Sequence, residues 1–370
     1  MREGEGARLK KFSSMNTGIL LLEDGTSWDG KAFGFKGELM GEAVFNTAFS
    51  GYEEVLTDPS YAGQIVVMTV PHIGNYGITL DDMESSRCYL RGFVVKDNSP
   101  IDSNWRSKEA LEKFLTDQHV IGLCDVDTRG IVKHLRQHGA MRAILSANTL
   151  DKKDLLEKVK KSPSMIGADF MDEVSLKKVE HHKGSGPRIV LYDFGLKQNI
   201  LKHLLLQGFD VHVVPAHTSA SDVLKLNPQG IVFSNGPGDP SALNGIVKEI
   251  QELLKKQLPT LGICLGNQLL ALALGAKTHK LQFGHHGVNH PVKNLATNEV
   301  AITSHNHGFA IDAKSLTGSL SPTYVDLYDG TLEGFKHNTL PIISVQFHPE
   351  AAPGPHDAAP IFESFKQLIK

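Results

Sequence analysis

The chain has 370 residues, of which 41% are hydrophobic and 21% charged, with a formal net charge of -3. That length leaves room for two domains with buried cores, and the near-neutral balance offers no basic field for nucleic acid or an acidic membrane surface. Three cysteines, Cys88, Cys124 and Cys264, form no paired framework and point to a reducing cytoplasm.

Residues 1–17 read as a polar, flexible tail, with Met15 a second candidate initiator and no apolar stretch of the kind a secretory signal carries. No apolar run approaches the ~20 residues that span a bilayer. From Gly18 to about residue 150 short strands predominate: Ile19–Leu22, Gln64–Val70 and Arg91–Val95. A helix is predicted over Ser107–Thr116 with Ser107 as its cap, and another over Thr128–His138. This mixed α/β segment carries no catalytic constellation of its own. Between 151 and 187 lysines cluster and apolar periodicity weakens, so this stretch reads as a solvated helix face and an interdomain linker.

Residues 188–370 alternate strand and helix. Strands are predicted at Arg188–Asp193, Asp210–Val214, Gly230–Phe233, Pro259–Ile263 and Pro341–Val345, with helices at Asn199–Leu206, Ser219–Leu226 and Gly245–Lys256. Such alternation implies an α/β domain with a mostly parallel sheet flanked by helices, whose ligands sit beyond the carboxyl ends of the strands.

Cys264 occupies such a strand end. Gly262-Ile-Cys-Leu-Gly266 has the Gly-x-nucleophile-x-Gly pattern of a nucleophile elbow, followed by the helical Leu269–Leu274. The glycines allow the sharp turn, and the helix N-terminus favours a thiolate and an oxyanion. A thiol needs a base and the base an orienter. His348 and Glu350 of Val345-Gln-Phe-His-Pro-Glu350 supply both, with Pro349 limiting how the two side chains are arranged. Oxyanion donors are the Leu265 N–H and, in Ser234-Asn-Gly-Pro-Gly-Asp-Pro240, those of Gly236 and Gly238. A lone Cys, His or glycine turn would be a structural feature; the three motifs together reverse that reading. Activity is expected to fall on the acid side as His348 gains a proton. His285, His286 and His290 lie in what reads as a loop between Gly284 and Pro291, without an acid or Cys at ligand spacing, so no metal is expected. Asn235-Gly-Pro-Gly-Asp lacks the ending of a phosphate-binding loop.

Cys-x-Gly-x-Gln at 264–268, Asn-Gly-Pro-Gly at 235–238 and His-Pro-Glu at 348–350 resemble the class I (triad) glutamine amidotransferases. Further stretches resemble the carbamoyl-phosphate synthetase small subunits: Gly51-Tyr-Glu-Glu, Leu56-Thr-Asp-Pro-Ser-Tyr61, Pro71-His-Ile-Gly-Asn-Tyr-Gly77, Phe283-Gly-His-His-Gly287 and Pro353-Gly-Pro-His-Asp357. The resemblance covers residues 18–370. It implies an N-terminal small-subunit domain over 18–150 that docks a partner and a glutamine amidotransferase domain over 188–370. It also implies that Cys264 attacks L-glutamine with His348 as base and Glu350 as orienter. Ser60, Gly236, Gly238, Leu265, Gln268, Asn306, Gly308 and Phe309 would hold the substrate, in a site placed between domains by Ser60. His307 would have a supporting role. Ammonia would pass to a large subunit, in a heterodimer or higher oligomer, feeding arginine or pyrimidine synthesis. No cofactor is expected on this chain; ATP and Mg2+, with K+ as a further candidate, belong to the large subunit. Asn267 departs from the family pattern, which has His there, and puts fine positioning in question. A catalytically silent scaffold and a stand-alone γ-glutamyl hydrolase are the competing readings.

Overall fold

The computed structural model describes residues 16–369; the expected tail lies outside them, apart from its last two residues. The chain divides into two compact units that interleave along the sequence. The first runs to Phe45 and resumes over Gln64–Leu80 and Leu90–Ser162, and the second comprises Asn46–Gly63, Asp81–Tyr89 and everything from Pro163. Segment 46–63, expected in the N-terminal domain, thus packs with the second unit.

The first unit is built on a closed barrel, which the short strands gave no sign of. Its strands are β1 (Asn16–Leu22), β2 (Ser27–Gly34), β3 (Glu38–Asn46), β4 (Gln64–Met68), β5 (Gly92–Val94), β6 (Ile121–Cys124) and β7 (Met141–Ser146), in the order β1-β2-β6-β5-β4-β3-β7. Ile19, Leu20, Leu21 and Leu22 are all buried. Because side chains alternate along a strand, Ile19 and Leu21 can face outward, where they meet Leu155 and Val159 of helix Lys152–Lys161. The lysine-rich stretch is therefore amphipathic and docked rather than a bare linker.

Helix α1 spans Leu111–Asp117, starting later than predicted because Ser107 bonds the Asp102 carboxylate and Ile78 bridges Glu109. Helix α2 spans Thr128–His138 as predicted, with the Asp127 carboxylate accepting from the Gly130 N–H at 3.0 Å.

The second unit holds a ten-stranded sheet. Its strands are β8 (Glu180–His182), β9 (Arg188–Asp193), β10 (Asp210–Pro215), β11 (Gly230–Phe233), β12 (Thr260–Ile263), β13 (Thr278–Asn294), β14 (Val300–Ile311), β15 (Leu320–Asp326), β16 (Leu332–His337) and β17 (Ile342–Val345). The order is β8-β10-β9-β11-β12-β17-β16-β15-β13-β14. From β10 to β17 all neighbours are parallel, and the flanking pairs are antiparallel. The expected linker thus contributes edge strand β8.

Helices covering the sheet include α3 (Gln198–Leu206), α4 (Asn244–Leu254), α5 (Leu265–Ala273) and α6 (Pro360–Leu368), with the short helix Ala220–Lys225 beside α4. Strand alternation sorts their contacts. Val190, Tyr192, Ile231 and Phe233 meet Ile246, Ile250, Leu269 and Leu270 on one face. Ile189, Leu191, Val232 and Leu261 meet Ile200, Leu204, Phe362 and Phe365 on the other. Strands buried on both faces read as continuous apolar runs, which is why their prediction succeeded. No helix among the described residues is long and apolar enough to cross a membrane.

Candidate active site

Cys264 follows β12 directly and precedes α5, with φ 53° and ψ -104°, a conformation an L-residue rarely holds. The turn is tight because two glycines let backbones touch. A Cβ on Gly262 would meet the Gly266 backbone at 2.9 Å, and one on Gly266 would overlap the Phe233 carbonyl of β11. The Cys264 N–H donates to Val345 O at 2.9 Å, fixing the elbow to β17. Leu265 is the first helical residue, so its N–H belongs to the donors a helix leaves unpaired.

His348 lies just past β17, its backbone held by a 2.8 Å bond to Ser304 O of β14. Its Nδ1 meets Glu350 Oε1 at 2.6 Å, while its buried Nε2 has no hydrogen-bond partner among the described residues. Burial alone would lower the imidazole pKa, but the Glu350 carboxylate and then the Cys264 sulfur reverse that, and the net direction is strongly upward. Burial raises Glu350 in turn, and Lys197 and His348 outweigh it, holding the carboxyl well below its usual range.

Lys197 was not anticipated. Its ammonium is buried, 2.9 Å from Glu350 Oε1, and donates to Ala351 O at 2.6 Å. That second bond braces Ala351 and Ala352, both with positive φ directly after Glu350.

Cys264 is 1% exposed, and its sulfur is held from two sides. It lies 3.7 Å from Asn306 O, and Gln346 Nε2 donates to it at 3.6 Å. Gln346 Oε1 accepts from Asn267 Nδ2 and from Gln268 Nε2, both at 3.0 Å, and Gln268 Nε2 also reaches Phe309 O at 2.7 Å. The Asn306 side chain donates to Asp58 Oδ2 at 2.8 Å and meets His286 Nδ1 at 2.9 Å. Asp58 also caps the turn of Ser60 through a 2.9 Å bond from its N–H. Ser60 Oγ accepts from Asn235 Nδ2 at 2.9 Å, beside Gly236.

The second unit alone thus gathers Cys264, Leu265, Gln268, Asn306, Phe309, His348 and Glu350, with Ser60 tied to the Gly236 loop. Since Ser60 packs in the same unit as the sulfur, an interdomain placement does not follow from it. Gly236 closes against Phe194 O and the Leu265 side chain, whereas Gly238, at φ 92°, packs towards Ala168 and Phe170. Gly308 precedes Phe309 in β14. His307 Nδ1 donates to Phe309 O at 2.9 Å and its ring neighbours other histidines rather than the sulfur.

Residues 190–368 match the family Glutamine amidotransferase class-I, and residues 20–145 match Carbamoyl-phosphate synthase small chain, CPSase domain. The carbamoyl phosphate synthase small chain of Syntrophotalea carbinolica is 49% identical over 368 residues, covering 95% of this chain and 97% of that one. Those of Chlorobaculum tepidum and Akkermansia muciniphila, also 49% identical, cover the same shares. The chain belongs to the carbamoyl phosphate synthase small chain family.

Within that family Asn267 has a definable place here. Its amide donates to Gln346 and accepts from Ser344 Oγ at 2.8 Å, so it orients the glutamine that donates to the sulfur. Gln346, Asp58 and His286 were likewise missed. All three lie inside the quoted stretches 56–61, 283–287 and 345–350, but nothing in those stretches alone assigns them a contact.

Proposed function

We propose that this glutamine-hydrolysing small chain works through a Cys264 thioester. The sulfur attacks the side-chain amide of L-glutamine. The oxyanion forms against the N–H groups of Leu265 and Gly236. His348 carries the thiol proton and gives it to the leaving nitrogen, so ammonia departs and a γ-glutamyl thioester remains. Water then attacks, His348 takes its proton, and glutamate leaves with the thiol restored. Glu350 holds the imidazole tautomer throughout, with its charge balanced by Lys197. Ser60, Gly238, Gln268, Asn306, Gly308 and Phe309 position the substrate.

The observation that carries this reading is His348, whose Nδ1 is fixed by Glu350 while its Nε2 is left free beside a strained cysteine elbow. A large chain is the partner. Ammonia is delivered to it directly, since release into water would convert most of it to non-nucleophilic ammonium. ATP, Mg2+ and K+ act on that partner.

The test is carbamoyl phosphate synthesis by the reconstituted complex. Glutamine hydrolysis should be weak for the chain alone and strongly stimulated by the partner. Full turnover without a partner would favour a stand-alone hydrolase, and absence of glutamate formation in the complex would favour a scaffold.

A further inference from the structure

The histidines expected to lie in a loop are instead part of β13, and His285 and His286 are buried. Pairing of β13 with β14 sets His285 opposite His307, and His305 lies two residues before it on the same face. Glu333 of β16 completes the cluster. It is fully buried, and neither carboxylate oxygen has a hydrogen-bond partner among the described residues. Its Oε1 lies 3.7 Å from His285 Nδ1 and 3.9 Å from His307 Nε2, and its Oε2 lies 3.5 Å from His305 Nδ1.

The proton assignments make this an electron-rich pocket. His285 Nε2 is committed to Asp329 at 2.9 Å and His307 Nδ1 donates to Phe309 O. The Thr303 hydroxyl donates to His290 O at 3.1 Å, so its oxygen accepts from His305 Nε2 at 2.7 Å. The remaining nitrogens, His285 Nδ1, His305 Nδ1 and His307 Nε2, then present lone pairs to one another and to a carboxylate. His305 Nδ1 and His307 Nε2 are 3.2 Å apart. Each imidazole also carries on its other nitrogen the kind of outer partner that orients a metal ligand.

We propose that His285, His305, His307 and Glu333 form a closed four-coordinate site for a divalent transition cation of the zinc class. Bonds of 2.0–2.1 Å in a tetrahedron set ligand atoms about 3.3 Å apart; the four separations given above, taken over both Glu333 oxygens, run from 3.2 to 3.9 Å, and the ligand atoms of the set all lie within 4.8 Å of one another. Three imidazoles and one carboxylate suit zinc and not calcium or magnesium, which take oxygen sets. Neighbouring His290 and Asp326 satisfy each other at 2.8 Å and stand outside the set. With every position filled by protein the site is structural. It braces the strand whose Asn306 carbonyl faces the Cys264 sulfur. The competing way to neutralise Glu333 is a proton on His285.

The full-length chain, stripped with a chelator and titrated with Zn2+ against a chromophoric competitor, should retain one equivalent through gel filtration. Its thermal midpoint should rise by roughly 5–10 °C at a hundredfold excess over Kd. Co2+ should give tetrahedral d–d absorption without the sulfur charge-transfer band that Cys264 would add. Glu333→Gln and His305→Gln should weaken binding by more than about a hundredfold, beyond the range of outer partners, while His290→Asn retains it. The cobalt spectrum of the unaltered chain decides the matter even if a variant fails to fold. Substoichiometric zinc, an octahedral or sulfur-bearing cobalt spectrum, or unchanged affinity in both variants that fold would overturn the assignment.

Discussion

Lys197→Met isolates the buried pair behind the His348 imidazole. Lys197 and Glu350 have side-chain exposures of 2% and 0% at 2.9 Å separation, so solvent screens little of their interaction. Removing one partner of such a pair costs about 3–5 kcal/mol, because the other charge stays buried and uncompensated. Methionine fills similar volume, so little of the loss comes from a cavity. The Ala351 carbonyl loses its donor as well, which loosens two residues already at positive φ. Urea unfolding should show the second unit melting at lower denaturant. Adding Glu350→Gln should restore most of the loss, since no unpaired charge remains. The pH dependence follows from sign. Glu350 is held below its ordinary value, so its stabilising contribution is present above about pH 4.5. It is lost as pH falls through about 2, and the single variant should lack it. An unfolding midpoint unmoved by Lys197→Met, or a double variant no more stable than the single, would refute this electrostatic account.

Cys264→Ala should abolish glutamine-dependent carbamoyl phosphate synthesis in the complex while ammonia-dependent synthesis persists; loss of both would mean the two chemistries are inseparable. The acid-side expectation for His348 needs revision, because the Glu350 carboxylate and the Cys264 sulfur outweigh burial and push the imidazole upward, which favours its protonated form through neutral pH. The alkaline limb reports loss of the imidazolium, and Glu350→Gln should move it to lower pH; an alkaline limb that stays in place counts against Glu350 as the cause. Gln346→Leu removes the donor to sulfur and leaves Asn267 Nδ2 unpaired. With charge-assisted bonds worth about 1.5–3 kcal/mol, kcat should fall roughly ten- to hundredfold with KM little changed, and an unaltered kcat would remove Gln346 from the account.

What could be read from the sequence was local. The elbow glycines, the Cys and the His-Pro-Glu run are contiguous signals whose chemistry follows from spacing, and the strands of the parallel core are apolar enough to identify themselves. The barrel was illegible because its pairings join short strands far apart in the chain, such as β1 with β7. Lys197, Asp58 and His286 act through contacts that no window of sequence contains. The histidine run was misread for a specific reason. Gly284 and Pro291 look like loop boundaries, yet Gly284, at φ 73°, sits in a register shift between Lys280 and His285 while β13 continues past it. A bulge uses the same glycine a turn would.

Strand β14 shows how one segment serves two chemistries. With a period of two, Ser304 and Asn306 point one way and His305 and His307 the other. The Asn306 side chain meets Asp58, while the backbone carbonyls of Ser304 and Asn306 meet the His348 N–H and the Cys264 sulfur; the imidazoles of the second pair meet Glu333. A slip of one residue in the β13–β14 pairing would exchange these faces, taking the Asn306 amide away from Asp58 and the imidazoles away from the carboxylate. The bulges between Lys280 and His285 and between Gly287 and His290 are what set that register on the catalytic side. Whatever holds the histidine face together therefore also fixes where the Asn306 carbonyl stands relative to the nucleophile, so the two clusters are coupled through backbone geometry without sharing a side chain.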